Sequence, residues 1–359
     1  MNLPIALLTI RWMIRDTFRQ SLASRLFWVM LGFNALFILL CLSVKIEGEE
    51  VQLPLSPADI KSRIPLKEAI RIGRENAEPS GILSGAIGVE GVAREIGIKI
   101  VRKEGVDVDG MEISLGFGLM LVQTTKDSVD AVRFLQVLLG GAVADTIGIF
   151  LAIIWTAGFI PTFIEPNQVT VLLAKPIPRW SLLVGKFFGV LIFVGMQATV
   201  FVLGTWLALG LRTGVFDGLY LLTIPLLVLH FAIFYSFSTL IAVSTRNTVV
   251  CVFATLLFWF ACWGMNFGRH VIVAHDLPGL TPTSRTILET GYWIMPKPGD
   301  MSLILYDVLQ ADGFSMKVPE FEKVQKMGKF HAELSVLASM LFAMILLGIS
   351  AREFHKMDY

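Results

Sequence analysis

Six long apolar stretches limit what this chain can fold into: Leu26–Val44, Phe134–Ile164, Phe187–Leu211, Leu219–Val243, Val249–Gly268 and Leu334–Ala351. Rising about 1.5 Å per residue, each is long enough as a helix to cross a hydrocarbon core roughly 30 Å thick. In hydrocarbon only helices and closed barrels satisfy every backbone N–H and C=O, so the pattern predicts six transmembrane helices. The first, third and fifth stretches carry no charge, the second holds only Asp145, and the fourth contains Pro225 and His230. Only 16% of the residues are charged and the mean hydropathy is +0.70, whereas a soluble domain carries about 25% charge. A net charge of +1 leaves no basic surplus for phosphates, so nucleic acid is not an expected partner. Cys41, Cys251 and Cys262 all fall inside apolar stretches and read as small buried hydrophobes, not as a disulfide framework or metal site.

Lys and Arg in short flanks set the orientation. Arg11, Arg15, Arg19 and Arg25 precede the first span, Lys175, Arg179 and Lys186 lie between the second and third, and Arg352 and Lys356 follow the last. The short connector of opposite parity, Thr213–Gly218, is flanked only by Arg212. Both termini, including the tail 352–359, are therefore expected on the cytoplasmic side of a prokaryotic inner membrane. Residues 1–25 read as an interfacial helix rather than a cleaved leader, because the apolar core that follows is too long for a leader. Leu7, Ile10, Ile14, Phe18 and Leu22 share one helical face, Arg11, Arg15 and Arg19 share another, and Trp12 suits headgroup depth.

Two segments fall outside the membrane. Residues 45–133, with 12 Lys and Arg against 15 Asp and Glu, read as a small external α+β insertion. In it Ser56-Pro-Ala-Asp59 starts a helix over Ile60–Asn76, and Met111–Leu119 alternates as a strand, with Ile98–Arg102 as a partner. Residues 269–333 form a second external loop, in which Met301–Leu309 predicts a short helix on or dipping into the bilayer. The predicted fold is thus an all-α polytopic membrane protein: six transmembrane helices, an N-terminal interfacial helix and the α+β insertion.

No phosphate loop of the Gly-x-x-x-x-Gly-Lys-Ser/Thr kind, no His-Glu-x-x-His and no nucleophile elbow occurs in the sequence, which argues against an enzyme. His270 and His275 read as solvated loop histidines, since their spacing puts no two ligands on one helical face. Asp145 is too costly to face lipid and His230 sits mid-span, so both are candidate intramembrane polar sites. The Gly185-x-x-x-Gly189 spacing permits close helix approach.

The connector 165–186 stands out most. Glu165 ends the second span, Leu172 and Leu173 form a short apolar face, and Lys175-Pro176-Ile-Pro178-Arg179 is braced by two prolines. Gly185-Lys186 then opens the third span. Glutamate, paired leucines, the Pro-x-Pro-Arg turn and Gly-Lys, in this order and topology, resemble the permease subunits of ABC-2 type ABC transporters. Met295-Pro-x-x-x-Asp300 before the last span also fits. The turn after Glu165 departs from that pattern, being Pro-Asn where many relatives carry Arg-Glu. The large insertion is closer to the permeases found with copper-enzyme maturation and gliding systems. The resemblance implies that Glu165, Leu172, Leu173, Lys175, Pro176, Pro178, Arg179, Gly185 and Lys186 couple to a separate ABC-type ATPase subunit. It also implies a homodimer or a heterodimer with a second permease. ATP and Mg would then belong to the partner, and this chain would bind no cofactor and no metal. The residues leave open a stand-alone secondary transporter, and a membrane anchor that signals from an external domain.

Overall fold

In a computed structural model of the protein, six helices among the described residues are long and apolar enough to cross a membrane. They are span 1 (Arg25–Leu42), span 2 (Ala131–Phe163), span 3 (Arg179–Thr213), span 4 (Gly218–Thr245), span 5 (Thr248–His275) and span 6 (Ala332–Lys356). This is the architecture of a multi-pass helical membrane protein. The structure describes residues 3–47, 63–65, 71–72, 107–109, 111–115, 120–124, 128–165, 177–275, 281–309 and 318–357. The chain forms two compact units: Met1–Phe33, Val137–Val202 and Leu219–Tyr359 in one, Asn34–Gln136 and Leu203–Gly218 in the other.

In the first unit span 4 is the most enclosed helix, 61% buried over its most apolar window, against 22% for span 5 and 17% for span 6, both of which it packs on. Phe231, Phe234 and Tyr235 fill its inner surface, and Phe237 stacks on Phe258 of span 5 at 4.0 Å. The outward faces of spans 5 and 6 stay apolar and exposed (Phe253, Leu257 and Phe260; Leu337, Leu341 and Met344), as surfaces that meet lipid must be. Pro225 falls in the first turn of the α-helix Thr223–Thr245, where no N–H is required. Span 4 ends at Arg246 in the left-handed region (φ 53°), and Asn247 Oδ1 then accepts from the N–H groups of Val249 and Val250 to start span 5.

The N-terminal helix runs over Leu3–Ala23, and the residues it buries most deeply lie beside the expected apolar face. Ala6, Thr9, Met13, Thr17 and Ser21 are buried, while Leu7, Leu8, Trp12 and Leu22 are exposed together with Arg11, Arg15 and Arg19. The small residues face span 3, where Gly185 and Gly189 leave room for Met13 and Thr17; a Cβ at either glycine would come within 2.8 Å of them. Leu7, Leu8, Trp12 and Leu22 stay exposed alongside the arginines, while Phe18 packs edge-on against Phe193 of span 3.

Span 2 is not a uniform helix. Over Leu138–Gly148 it is π-helical, with the Ile149 N–H donating to Ala144 O, before resuming as Ile149–Thr156 and Phe159–Phe163. Among the described residues three loop helices precede span 6: Pro282–Ile294, Pro298–Val308 and Pro319–Lys326, each opening on proline, whose fixed φ suits a first turn. The second realises the short helix expected over Met301–Leu309.

In the second unit the described part of the insertion contains short strands. β1 (Lys45–Glu47) and β5 (Met120–Thr124) flank β4 (Met111–Leu115) in an antiparallel sheet, and β2 (Arg63–Pro65) pairs in parallel with β3 (Asp107–Asp109). Of the expected strand Met111–Leu119, Met111–Leu115 is β4, while residues 116–119 and the expected partner Ile98–Arg102 lie outside the described residues. Of the helix expected over Ile60–Asn76, Arg63–Pro65 is extended instead, Pro65 disfavouring helix at Ile64, Arg71 and Ile72 are helical, and the rest lies outside the described residues. At the end of span 3, Trp206 Nε1 donates to Asp217 O (2.9 Å), Arg133 meets Asp217 Oδ2 (3.1 Å) and Arg212 Nε donates to Val44 O (3.2 Å).

Candidate functional site

Two buried carboxylates organise the polar interior of the first unit. Asp145 lies in the π-helical segment, where the wider turn changes which way its side chain is directed. Its Oδ1 is 2.5 Å from His230 Nδ1 of span 4, and its Oδ2 accepts from Ser302 Oγ of the second loop helix at 2.9 Å. With the carboxylate accepting, the ring proton sits on Nδ1. The other ring nitrogen, Nε2, is buried and meets no hydrogen-bond partner. Gly140, just before this segment, lets span 2 approach Thr223, Leu305 and Tyr220. Beside Ser302 lies a cavity of about 240 Å³, lined also by Thr146, Trp263 and Tyr306. Burial, and then the charge of Asp145, push the Tyr306 hydroxyl above its ordinary value, so it stays protonated there.

Asp300, fully buried at the start of the same loop helix, collects a larger set. Its Oδ2 accepts from Tyr292 Oη (2.6 Å) and Ser335 Oγ (2.5 Å), and its Oδ1 accepts from Asn266 Nδ2 (2.9 Å) with His270 Nε2 at 3.4 Å. Gly299 is required beside it, because Asn266 Oδ1 and the Phe321 ring occupy the space a Cβ would take. Lys297 is also buried, its Nζ near the rings of Tyr292 (4.8 Å) and Trp293 (5.1 Å). Burial pushes Lys297 down to about 8, partly offset by Asp300, and pushes the Tyr292 hydroxyl up. His270 is therefore no solvated loop residue. Span 5 continues as helix to His275, and His270 Nδ1 donates to Asn266 O (2.8 Å), as a buried imidazole must find partners.

The residues expected to couple to a partner are distributed differently. Leu172, Leu173, Lys175 and Pro176 lie outside the described residues, and Glu165 is exposed just past span 2. Pro178 O accepts from Ser181 Oγ, and Arg179 opens span 3 rather than a free arm. The Arg179 guanidinium is engaged within the chain, its Nη1 donating to His355 O (3.1 Å) and Met357 O (2.7 Å) at the end of span 6. There a cation complements the helix C-terminus. Lys186 also turns inward: it is 2% exposed, donates to Gln20 Oε1 of the N-terminal helix (2.6 Å) and lies near Phe159 and Phe163. Gly185 and Lys186 are thus docking residues for the N-terminal helix, in place of the outward contacts expected of them.

Sequence reading singled out Asp145, His230 and Asp300 but not Asn266, Arg269, Tyr292, Ser302 or Ser335. Among the described residues no group of His, Cys, Asp and Glu is arranged to hold a metal ion. Compared with known proteins, the chain matches no family model and no curated sequence.

Proposed function

We propose that the chain is the membrane permease subunit of an ATP-driven transporter of the ABC-2 kind, working as an exporter with a separate ATPase and a second permease. Its N- and C-termini lie in the cytoplasm of a prokaryotic cell, and residues 45–133 form a small α+β domain outside it. The observation that carries this reading is the clamp at the start of span 3. The N-terminal helix is seated there on Gly185 and Gly189 and tied by Lys186 to Gln20, while Arg179 grips the end of span 6. A push on the connector 165–178 therefore reaches span 3, the interfacial helix and span 6 together, which is what a lever between an ATPase and a transport path requires. Leu172 and Leu173 supply the apolar contact with the ATPase, and ATP with its Mg is bound by that partner. Replacing both leucines (Leu172→Asp with Leu173→Asp) is expected to abolish recovery of the ATPase with the purified protein while membrane insertion stays normal. A complex that survives this double change puts the coupling contact elsewhere.

The second reading, a secondary transporter needing no ATPase, draws on the Asp145–His230 pair in a non-α segment of span 2, the kind of interruption that ion-coupled carriers use. Solute uptake by proteoliposomes holding this chain alone, driven by an ion gradient, favours it over the permease. A membrane anchor signalling from an external domain has no feature of its own in its favour.

A further inference from the structure

We infer that the pocket between span 5 and the first loop helix binds the anionic headgroup of an amphiphile. The pocket holds about 590 Å³ and is lined by Arg269, Arg285 and Lys329, with Glu289 as the one acid among its lining residues. Cations thus outnumber acids there by three to one. The remaining wall is largely apolar, including Ile272, Leu288 and Met327.

Arg269 is the residue that points to a ligand. It is 7% exposed, yet its guanidinium has only distant partners. Nη1 donates to Lys329 O at 3.4 Å, and Nε lies 3.5 Å from Glu289 Oε2 with no hydrogen bond to it. The Tyr292 ring centroid is 4.5 Å from its central carbon. Nε is thus a buried donor with no acceptor, which is costly. An anion in the pocket supplies the missing acceptor, and the planar fork of arginine matches a phosphate or carboxylate two bonds at a time.

Position supplies the other half of the ligand. Arg269 follows directly on the charge-free run Val249–Gly268, so the pocket opens where a membrane-crossing helix leaves the apolar layer. On the first loop helix Ile287 and Ile294 are exposed, giving an alkyl chain apolar surface near a bound head. A head that is anionic and a body that is apolar define the ligand class; free phosphate shares only the head. This inference stands apart from the permease reading, and neither depends on the other.

The test is lipid binding by the full-length chain purified in a neutral maltoside detergent, read by native mass spectrometry. Phosphatidylglycerol is expected to bind about tenfold more tightly than phosphatidylcholine. Arg285→Gln and Lys329→Gln, both exposed and so harmless to folding, are each expected to weaken phosphatidylglycerol about fivefold, near the effect of one cation at a charged lipid surface. Unchanged melting temperatures certify that these variants are folded. Inorganic phosphate at millimolar concentration is expected to compete only weakly. Equal binding of the two lipids, or undiminished phosphatidylglycerol binding by both variants, overturns the headgroup site. Inorganic phosphate binding as tightly as the lipid overturns the amphiphile.

Discussion

Asp145, bonded to the helix Pro298–Val308 through Ser302, and Asp300, a residue of that helix, are both buried carboxylates, yet they are held in opposite ways. Asp300 is nearly saturated: hydroxyls from Tyr292 and Ser335 and an amide from Asn266 converge on it from three other places in the fold. Asp145 has two partners, His230 and Ser302, sits in a π-helical stretch, and pairs with an imidazole whose far nitrogen meets no hydrogen-bond partner. A saturated buried carboxylate fixes the elements around it, since losing it strands several donors at once. A sparsely partnered one leaves its surroundings able to rearrange. On this contrast Asp300 is expected to hold the helices around it more firmly than Asp145 holds its own surroundings.

The largest expected effect tests the Asp300 side. Asp300→Ala strands three donors and should destabilise the protein by about 3–5 kcal/mol in detergent unfolding, or abolish folded yield. Asp145→Ala should cost less, about 1–3 kcal/mol. If the order is reversed, the contrast between the two sites fails. A cycle combining Asp145→Asn with His230→Gln should show coupling of about 1 kcal/mol or more, and additive effects would mean the pair is not energetically linked.

Lys297 sharpens the description of the Asp300 side. Its value falls from 10.5 to about 8 on burial, so between those values the unfolded chain keeps a proton that the folded chain has lost. Stability should accordingly rise with pH from about 8 towards 10. Tyr292, raised above its ordinary 10, works against that rise at higher pH. Lys297→Met should flatten the slope between 8 and 10, and an unaltered slope assigns it to another group. The smallest contrast compares two serines. Ser335→Ala removes a donor from a crowded carboxylate, and Ser302→Ala removes one of only two from Asp145. Each should cost about 0.5–1.5 kcal/mol, with Ser302→Ala alone changing the fluorescence of Trp263, which shares its cavity.

The spans were legible because hydrocarbon leaves a chain few options, and apolar length reports that directly. The polar interior was legible only in part. Asp145 and His230 each stood out as ionisable residues in apolar surroundings, but they are 85 positions apart and no local period joins them. The π-helical segment has no compositional mark, since its glycines and alanines suit an α-helix interface equally well. His270 was misread because the apolar run stops at Gly268, whereas the helix continues on side-chain partners that come from distant segments. The buried face of the N-terminal helix (Ala6, Thr9, Met13, Thr17 and Ser21) went unmarked because the large apolar residues and the arginines dominate its periodicity. In a membrane small residues pack against helices and large ones go to lipid. Arg179 and Lys186 counted as outward charges for want of any sign of Gln20 or of the end of span 6 as partners.

The most direct measurement of the central claim is affinity purification of the full-length chain from its native membranes in mild detergent, with every co-purifying subunit identified. The permease reading predicts a subunit carrying a Gly-x-x-x-x-Gly-Lys-Ser/Thr phosphate loop, in a fixed ratio to this chain. A homogeneous preparation containing this chain and no such ATPase would contradict it.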